Sequence, residues 1–330
     1  MKQQDIYDIA VIGGGTTGLF ATYYATMRGL KVLLIESQSQ LGGKVMQFFP
    51  EKLIYDVGGM PEITGEQLVE QMIRQAKRHE PVILLNQWVE AIQKRDSYFE
   101  LVTATQDTHQ AKAIVLATGN GTFSGKTPEG WNDEMSKHQD VVKFTMMDAV
   151  QFKNKRVVIS SDMKTGVEWA LYLENLAKEV VIVNPDSRFN YTNKSEIEKI
   201  EKSTTTIYYE SKIVDLEVKQ NRLTSVTIKH SDDTEVKVAA DELLVYHGVE
   251  LKSTPFKEWG IELKKGRISV KSDMATELPG VFAAGDIVSY EGKTGLIASG
   301  YSEAITAVNK AHKWIDPKAV EQQYSTVIYR

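Results

Sequence analysis

Three glycines between a buried strand and a helix constrain the fold of this chain more than any other feature. They are Gly13, Gly15 and Gly18, in the spacing GxGxxG. The run Asp8–Ile12 before them is short and apolar, which is typical of a buried parallel strand. Residues 16–28 predict a helix that ends before the next glycine. The pattern therefore predicts a strand-turn-helix unit whose turn is built from glycine.

A second strand and an acidic residue complete this unit. The run Lys31–Glu36 follows the helix, and Glu36 lies eighteen residues beyond Gly18. In such a unit the first glycine allows the tight turn, the second lets the backbone approach a diphosphate, and the third lets helix and strand pack closely. The helix N-terminus offers amide hydrogens to the phosphates, and the acidic residue accepts hydrogen bonds from a ribose. NAD and FAD share this fingerprint, so it predicts a dinucleotide without choosing between them.

The same strand-helix-strand order returns in the middle of the chain. Arg156–Ser160 and Glu179–Val183 predict buried strands, and residues 165–176 predict the helix between them. Two such units predict an α/β protein with two Rossmann-like, three-layer dinucleotide-binding domains. A later apolar run returns to the first domain and makes it discontinuous. The expected bounds are 1–118 plus 280–330 for the first domain and 119–279 for the second.

Weaker patterns predict the other elements. Apolar periodicity favours helices near 65–79 and 295–314 and strands near 82–105. Alternating segments indicate antiparallel strands appended to the second unit, around 205–218, 222–230 and 234–246.

Composition excludes several classes of function. The chain has no cysteine, which removes disulfides, thiolate nucleophiles and cysteine-ligated metals, so redox chemistry must run through a bound cofactor. The six histidines lack any metal-ligand spacing, and we expect no catalytic metal. A net charge of -5 argues against a dedicated nucleic-acid binder. The polar first residues do not resemble a signal peptide and no apolar run is long enough to span a membrane, so we expect a cytoplasmic protein.

A motif near the C-terminus chooses between the two dinucleotides. The run Val281–Asp286, with Gly285 and Asp286 at its end, resembles the second FAD signature of flavoproteins with two dinucleotide domains, and Ala117–Gly119 resembles their crossover motif. Nearly the whole chain is similar to the ferredoxin (flavodoxin) NADP reductases of the thioredoxin-reductase type. The similar segments are 41–43, 49–57, 119–123, 290–293, 296–300, 316–317 and 324–326.

The resemblance implies an FAD domain, an NAD(P)H-type domain and a set of flavin contacts. It implies that Phe49 packs on one face of the flavin, at a position where the family usually has tyrosine. It also implies that Tyr324 packs on the other face, where the family often has histidine. Lys44 stands where the family commonly has glutamine, and Asp286 holds the ribityl or phosphate region. Val89 and Phe123 are apolar, and an apolar residue is expected at these positions whether it lies in the protein core or contacts the flavin. The other positions that line FAD in the family are Thr17, Gly43, Val89, Phe123 and Thr326.

The second unit departs from the family at the place where NADPH binds. The glycine-rich turn is replaced by Ser160–Gly166, which puts side chains and the charge of Asp162 where a diphosphate needs open backbone. After the next strand the family has a His-Arg-Arg cluster for the 2′-phosphate, but this chain has Asn184–Asp186 with only Arg188 nearby. Two independent departures predict that a conventional NADPH or NADH site is lost.

Three functions remain open from the sequence. The first is a homodimeric FAD-dependent reductase that moves electrons between a nicotinamide nucleotide and a ferredoxin- or flavodoxin-type carrier, with no side chain acting as nucleophile or general acid. The second is an FAD electron-transfer protein, or a reductase that no longer uses NADPH conventionally. The third is a non-enzymatic FAD-binding interaction module.

Overall fold

The computed structural model describes residues 6–128, 130–138, 141–144, 149–324 and 328. The chain forms two compact units, the first from residues 1–122 and 252–330 and the second from residues 123–251. The helices are α1 Thr16–Met27, α2 Gly43–Phe48, α3 Gly65–Ala76, α4 Asp133–Ser136, α5 Lys164–Leu173, α6 Lys194–Glu201 and α7 Ile297–Ile315, with 3-10 turns at Lys77–His79 and Ala149–Phe152.

The strands in chain order are β1 Ile6–Ile12, β2 Val32–Ile35, β3 Leu53–Ile54, β4 Ile63–Thr64, β5 Val82–Leu84, β6 Val89–Lys94, β7 Phe99–Thr103, β8 Thr108–Leu116, β9 Thr122–Gly125, β10 Val142–Lys143, β11 Arg156–Ser160, β12 Glu179–Val183, β13 Thr206–Tyr208, β14 Ser211–Lys219, β15 Arg222–His230, β16 Glu235–Ala239, β17 Glu242–Val245, β18 Val249–Lys252, β19 Leu263–Lys264, β20 Arg267–Ser269, β21 Val281–Ala283 and β22 Val288–Ser289.

The first unit is built on a seven-stranded sheet with the order β5-β2-β1-β8-β7-β6. Strands β5, β2, β1 and β8 are parallel, whereas β7 and β6 are antiparallel. One edge of β8 is shared, because β7 pairs with its first half and the parallel β21 pairs with its last three residues. The pairing of β21 brings the second glycine signature beside the first at the carboxyl ends of the parallel strands, where dinucleotides bind in such sheets.

Both faces of this sheet are covered, which explains its continuous apolar strands. Ile9 and Val11 of β1 point to the face packed by α1, α3 and α7, and Ala10 and Ile12 point to the opposite face. Residues 256–268 cover that opposite face, through Phe256, Trp259, Ile261 and Ile268.

The packing of residues 256–268 moves the expected domain boundary. The sequence placed 252–279 in the second domain, but these residues lie in the first unit because their large apolar side chains complete its core. Strand β20 within this segment also pairs with β22 of the same unit. The chain therefore divides at 122/123 and at 251/252.

The second unit is a parallel sheet with the order β10-β17-β11-β12-β13. One face packs α5 and α6, and the other packs the antiparallel sheet β14-β15-β16. The expectation of antiparallel strands is confirmed for β14, β15 and β16 but wrong for β13 and β17, which join the parallel sheet. All four residues of β17 are buried, as in a strand enclosed on both faces.

None of the helices within the described residues is both long enough and apolar enough to cross a membrane.

Candidate functional site

The first glycine turn contains glycines of two kinds. A Cβ on Gly13, whose φ is +103°, would lie 2.5 Å from the carbonyl oxygen of Ala117, and a Cβ on Gly18 would lie 1.8 Å from the carbonyl oxygen of Gly13. Both glycines are required by the packing of the protein itself. A Cβ on Gly15 would meet only the Cα of Gly43, at 3.9 Å, so no atom of the described residues requires a glycine there. Open space beside Gly15 fits a ligand that approaches the backbone closely.

The start of α1 supplies donors to that space. Within the described part of the chain, no acceptor faces the backbone amides of Gly15, Thr17 and Gly18. The first turn of α1 carries no acidic side chain, so no residue of that turn neutralises the positive end of the helix dipole. Unpaired amides at a helix N-terminus are a ready site for phosphate, and these residues fit the diphosphate of a dinucleotide.

Glu36 holds the turn in place from the end of β2. It is buried, and its Oε2 accepts a hydrogen bond of 2.6 Å from the amide of Gly14. Its Oε1 accepts from the amide of Gln38 at 2.8 Å and from the hydroxyl of Ser37 at 3.1 Å. A carboxylate has about four acceptor positions, so one remains for the ribose that the sequence assigned to it.

The second signature meets the first through Thr17. A Cβ on Gly285 would lie 2.9 Å from the Oγ1 of Thr17, and one on Gly300 would lie 2.3 Å from the same atom. Thr17 therefore fits between the turn after β21 and the start of α7. The amide of Gly285 donates to the Oε2 of Glu303 at 2.7 Å, which fixes this turn to α7.

Asp286 and Lys44 form an ion pair that the sequence did not predict. The Nζ of Lys44 lies 3.1 Å from the Oδ2 of Asp286, and the side chains are 36% and 42% exposed. Gly43, just before Lys44, has its Cα close to Gly15, since a Cβ on Gly43 would lie 3.0 Å from the Cα of Gly15. The contacts bring Gly15, Gly43, Lys44 and Asp286 into one region of the first unit.

The remaining predicted contacts fall into three groups. Phe49 is 47% exposed with the Nζ of Lys52 5.2 Å from its ring centroid, and Tyr324 is also exposed, so both rings have free surface. Val89 is buried in the core beside Ile12 and Leu116. Phe123 begins the second unit within β9 but its side chain lies outside the described structure, as does all of Thr326.

Sequence reasoning missed a buried polar cluster beneath Gly285. Glu303 accepts from the hydroxyl of Tyr290 at 2.8 Å and from the Nζ of Lys293 at 2.6 Å, and both members of this ion pair are almost fully buried. Burial and then the hydrogen bond to Glu303 raise the pKa of Tyr290 to about 12. The sequence did contain a signal for this cluster, because Glu303 lies on the apolar stripe of α7 between Gly300 and Ala307. A charged residue in such a stripe indicates a buried partner of opposite charge.

Residues 7–312 match the family described as pyridine nucleotide-disulphide oxidoreductase. The chain belongs to this family. Among its relatives are ferredoxin–NADP reductase 2 of Shouchella clausii, 37% identical over 96% of both chains, and ferredoxin–NADP reductase 2 of Listeria welshimeri, 39% identical over 99% of both. Ferredoxin–NADP reductase 1 of Bacillus velezensis is 38% identical over 98% of this chain and 97% of its own.

Solved structures confirm the fold. Thioredoxin reductase of Lactococcus lactis matches with a TM-score of 0.53 and 22% identity, over 94% of this chain and 99% of that one. Thioredoxin reductase of T. acidophilum matches with a TM-score of 0.53 and 23% identity, over 95% and 99%. The two-domain α/β fold, the resemblance to ferredoxin–NADP reductases and FAD as the cofactor are therefore confirmed. Unlike enzymes of this family that reduce disulfides, this chain has no cysteine.

Proposed function

We propose that this chain is an FAD-dependent reductase that exchanges electrons with a ferredoxin- or flavodoxin-type carrier. The observation that carries the proposal is the open turn of the first unit, where a Cβ on Gly15 would meet only the Cα of Gly43 and where the amides of Gly15, Thr17 and Gly18 have no acceptor among the described residues. Full-length relatives named ferredoxin–NADP reductase supply the reaction class. Bound FAD supplies the chemistry, because it exchanges electrons both in pairs and singly.

The residues of the chain bind and orient the cofactor in this proposal. The amides of Gly15, Thr17 and Gly18 hold the diphosphate, and Glu36 receives a ribose hydroxyl while keeping the turn closed. Asp286 is held by Lys44, so its negative charge is balanced close to the place where the phosphates bind. We assign no side chain as a nucleophile or general acid.

Phe49 and Tyr324 offer flat rings to the flavin. Each has exposed surface in the isolated chain, and aromatic rings stack favourably at such contacts. We also propose that the protein is a homodimer, which light scattering after gel filtration can test. We propose a cytoplasmic location, in keeping with a chain that lacks cysteine.

A second candidate function omits the nicotinamide nucleotide. The turn before α5, where a second dinucleotide would bind, carries Ser161, Asp162 and Met163 rather than glycines. This turn favours an FAD protein that takes its electrons from a protein or small donor.

Electron exchange with a carrier tests the main proposal. FAD-loaded protein is photoreduced anaerobically with EDTA as the electron donor and is then mixed with oxidised ferredoxin or flavodoxin in a stopped-flow instrument. We expect the carrier to be reduced as the flavin band returns, at a rate that saturates with carrier concentration. Free FAD at the same concentration is the control. A flavin that reoxidises no faster with the carrier than without it would contradict the proposal.

A further inference from the structure

The two units repeat one backbone pattern, which makes their turns comparable residue by residue. Each has the same four backbone hydrogen bonds around the strand-turn-helix unit. The amide-to-carbonyl pairs are Gly13–Ile35, Ala117–Ile12, Glu36–Leu84 and Gly42–Gly14 in the first unit, and Ser161–Val183, Tyr246–Ser160, Asn184–Tyr208 and Asn190–Asp162 in the second.

The equivalent positions carry side chains in the second unit where the first has open backbone. Only the last glycine of the motif is kept, as Gly166, and a Cβ there would lie 2.4 Å from the Cβ of Ser161. Gly166 therefore keeps the packing role of Gly18, whereas the open backbone position of Gly15 is filled in the second unit. The replacements from the first unit to the second are Gly13 by Ser161, Gly14 by Asp162, Gly15 by Met163, Gly42 by Asn190 and Glu36 by Asn184.

The carboxylate of Asp162 is fixed between two neighbouring loops. Its Oδ1 lies 2.8 Å from the Nδ1 of His247, which follows β17, and its Oδ2 accepts from the Nδ2 of Asn190, which follows β12, at 3.0 Å. The crevice between such loops, at the carboxyl ends of the strands, is where a dinucleotide lies in a Rossmann unit. In this chain an anion of the protein itself is already there.

The amides of the turn are also in use. The amide of Met163 donates to the Oγ of Ser161 at 3.1 Å, and the amide of Gly166 donates to the carbonyl of Met163 at 3.0 Å. Their equivalents Gly15 and Gly18 have no acceptor within the described residues. A diphosphate at α5 therefore has fewer donors to bind than a diphosphate at α1.

The ribose position is closed in the same way. Asn184, at the place of Glu36, is fully buried. Its Oδ1 accepts from the amide of Asp186 at 2.8 Å, and its Nδ2 donates to the carbonyl of Arg188 at 3.1 Å. Both ends of this amide are occupied by its own loop, so it offers little to a ribose hydroxyl.

Ser160, His247 and Asp162 have the order of a nucleophilic triad, with the Oγ of Ser160 2.9 Å from the Nε2 of His247. Ser160 is only 2% exposed at the end of β11, so no substrate carbonyl reaches its hydroxyl. The geometry serves to hold the turn.

We infer that the N-terminus of α5 is a closed dinucleotide site, in which the Asp162 carboxylate lies where a ligand's diphosphate would bind, and that NADPH and NADH do not bind there. The inference rests on the proposed FAD-dependent function, since it removes the nucleotide partner from that reaction.

Calorimetric titration of the FAD-loaded protein with NADPH and with NADH tests the inference directly. We expect no saturable binding up to about 1 mM nucleotide, and no bleaching of the flavin band when the same solutions are mixed anaerobically. Saturable binding in the micromolar range would overturn it. Photoreduced protein that still passes electrons to ferredoxin separates this result from a failure of the proposed function, in which the carrier would not be reduced.

A glycine variant assigns the closure to these residues. The combined change Ser161→Gly, Asp162→Gly, Met163→Gly and Asn190→Gly should strengthen NADPH binding by about tenfold or more, because it restores open backbone at the turn. Asp162→Asn is the matched control, since it removes the charge but keeps the filled volume, and it should gain less. FAD content and near-UV circular dichroism verify folding.

The single variants Asp162→Gly and Met163→Gly repeat the test if the combined variant does not fold. A folded glycine variant that binds NADPH no better than the parent would overturn the assignment of the closure to this turn.

Discussion

Substitution of alanine at Gly15 and at Gly18 should separate a glycine required by the cofactor from one required by the fold. A methyl group at Gly15 meets only the Cα of Gly43, at 3.9 Å, and the extended backbone there, with φ -71°, suits alanine. We expect Gly15→Ala to lower the free energy of unfolding of the apoprotein by at most about 1 kcal/mol, the usual difference between residues at a helix N-cap. A methyl group at Gly18 would lie 1.8 Å from the carbonyl oxygen of Gly13 and must displace α1.

The effect on FAD binding should run the other way. If the diphosphate lies against Gly15, the added methyl overpacks that contact at a cost of about 1–3 kcal/mol, which is roughly a 5- to 150-fold weaker dissociation constant. The assay is quenching of FAD fluorescence on titration of apoprotein. The melting temperature of the apoprotein is measured in parallel, because bound FAD would itself stabilise the fold.

The two variants define the outcome that refutes the reasoning. Gly15→Ala should keep a melting temperature within a few degrees of the parent and lose FAD affinity, whereas Gly18→Ala should lose much of its thermal stability before FAD is added. A Gly15→Ala protein that binds FAD as tightly as the parent would show that no phosphate lies beside Gly15. Equal destabilisation of both apoproteins would show that Gly15 is a packing glycine.

Three further predictions concern charged groups. Glu303→Gln leaves the buried Lys293 without its anion and should cost about 3–5 kcal/mol in urea unfolding, and adding Lys293→Met should recover much of that loss. The hydrogen bond from Arg156 holds the pKa of the Asp241 carboxyl at about 2, below its ordinary 3.8. The stabilisation by this ion pair is therefore present above pH 4 and is lost as pH falls towards 2. Asp241→Asn should be less stable than the parent above pH 4, by under about 1 kcal/mol, and should match it near pH 2. Burial lowers the pKa of His247 below 6.5, and the negative charge of Asp162 opposes this shift. NMR titration should therefore show a pKa below 6.5 for His247, and Asp162→Asn should lower that pKa further. The stability that comes from neutral His247 is fully present above pH 6.5 and is lost as pH falls through the pKa of the folded state.

Local patterns predicted the strands that are buried and end in a turn. Arg156–Ser160 and Glu179–Val183 form strands with the predicted bounds, because a short β-branched run enclosed on both faces has few alternatives. The helix at Lys164–Leu173 is shorter than predicted, since the chain leaves the helix before Leu176. Element type therefore follows from local sequence, whereas the position of an element in a sheet depends on distant partners.

Contacts between distant parts of the chain could not be predicted in the same way. Lys44 and Asp286 are separated by 242 positions, and neither side chain carries a local signal for the other. Trp259 reaches the first unit by donating from its indole nitrogen to the carbonyl of Glu90, 169 positions away. Such pairs determined the domain boundary and the charge balance of the site, which is why the sequence placed the residues but not their partners.

The paired turns show why the second unit can keep its fold without a ligand. The four shared hydrogen bonds are all between backbone groups, so they form whether the turn carries glycine or serine. Ligand binding instead requires a backbone position without a side chain, as at Gly15. Met163 places a side chain at the equivalent position without changing the four backbone hydrogen bonds. Gly166 remains because helix and strand approach too closely for a Cβ. A glycine retained in such a motif therefore indicates packing, and only a glycine with open space beside it, such as Gly15, indicates a bound dinucleotide.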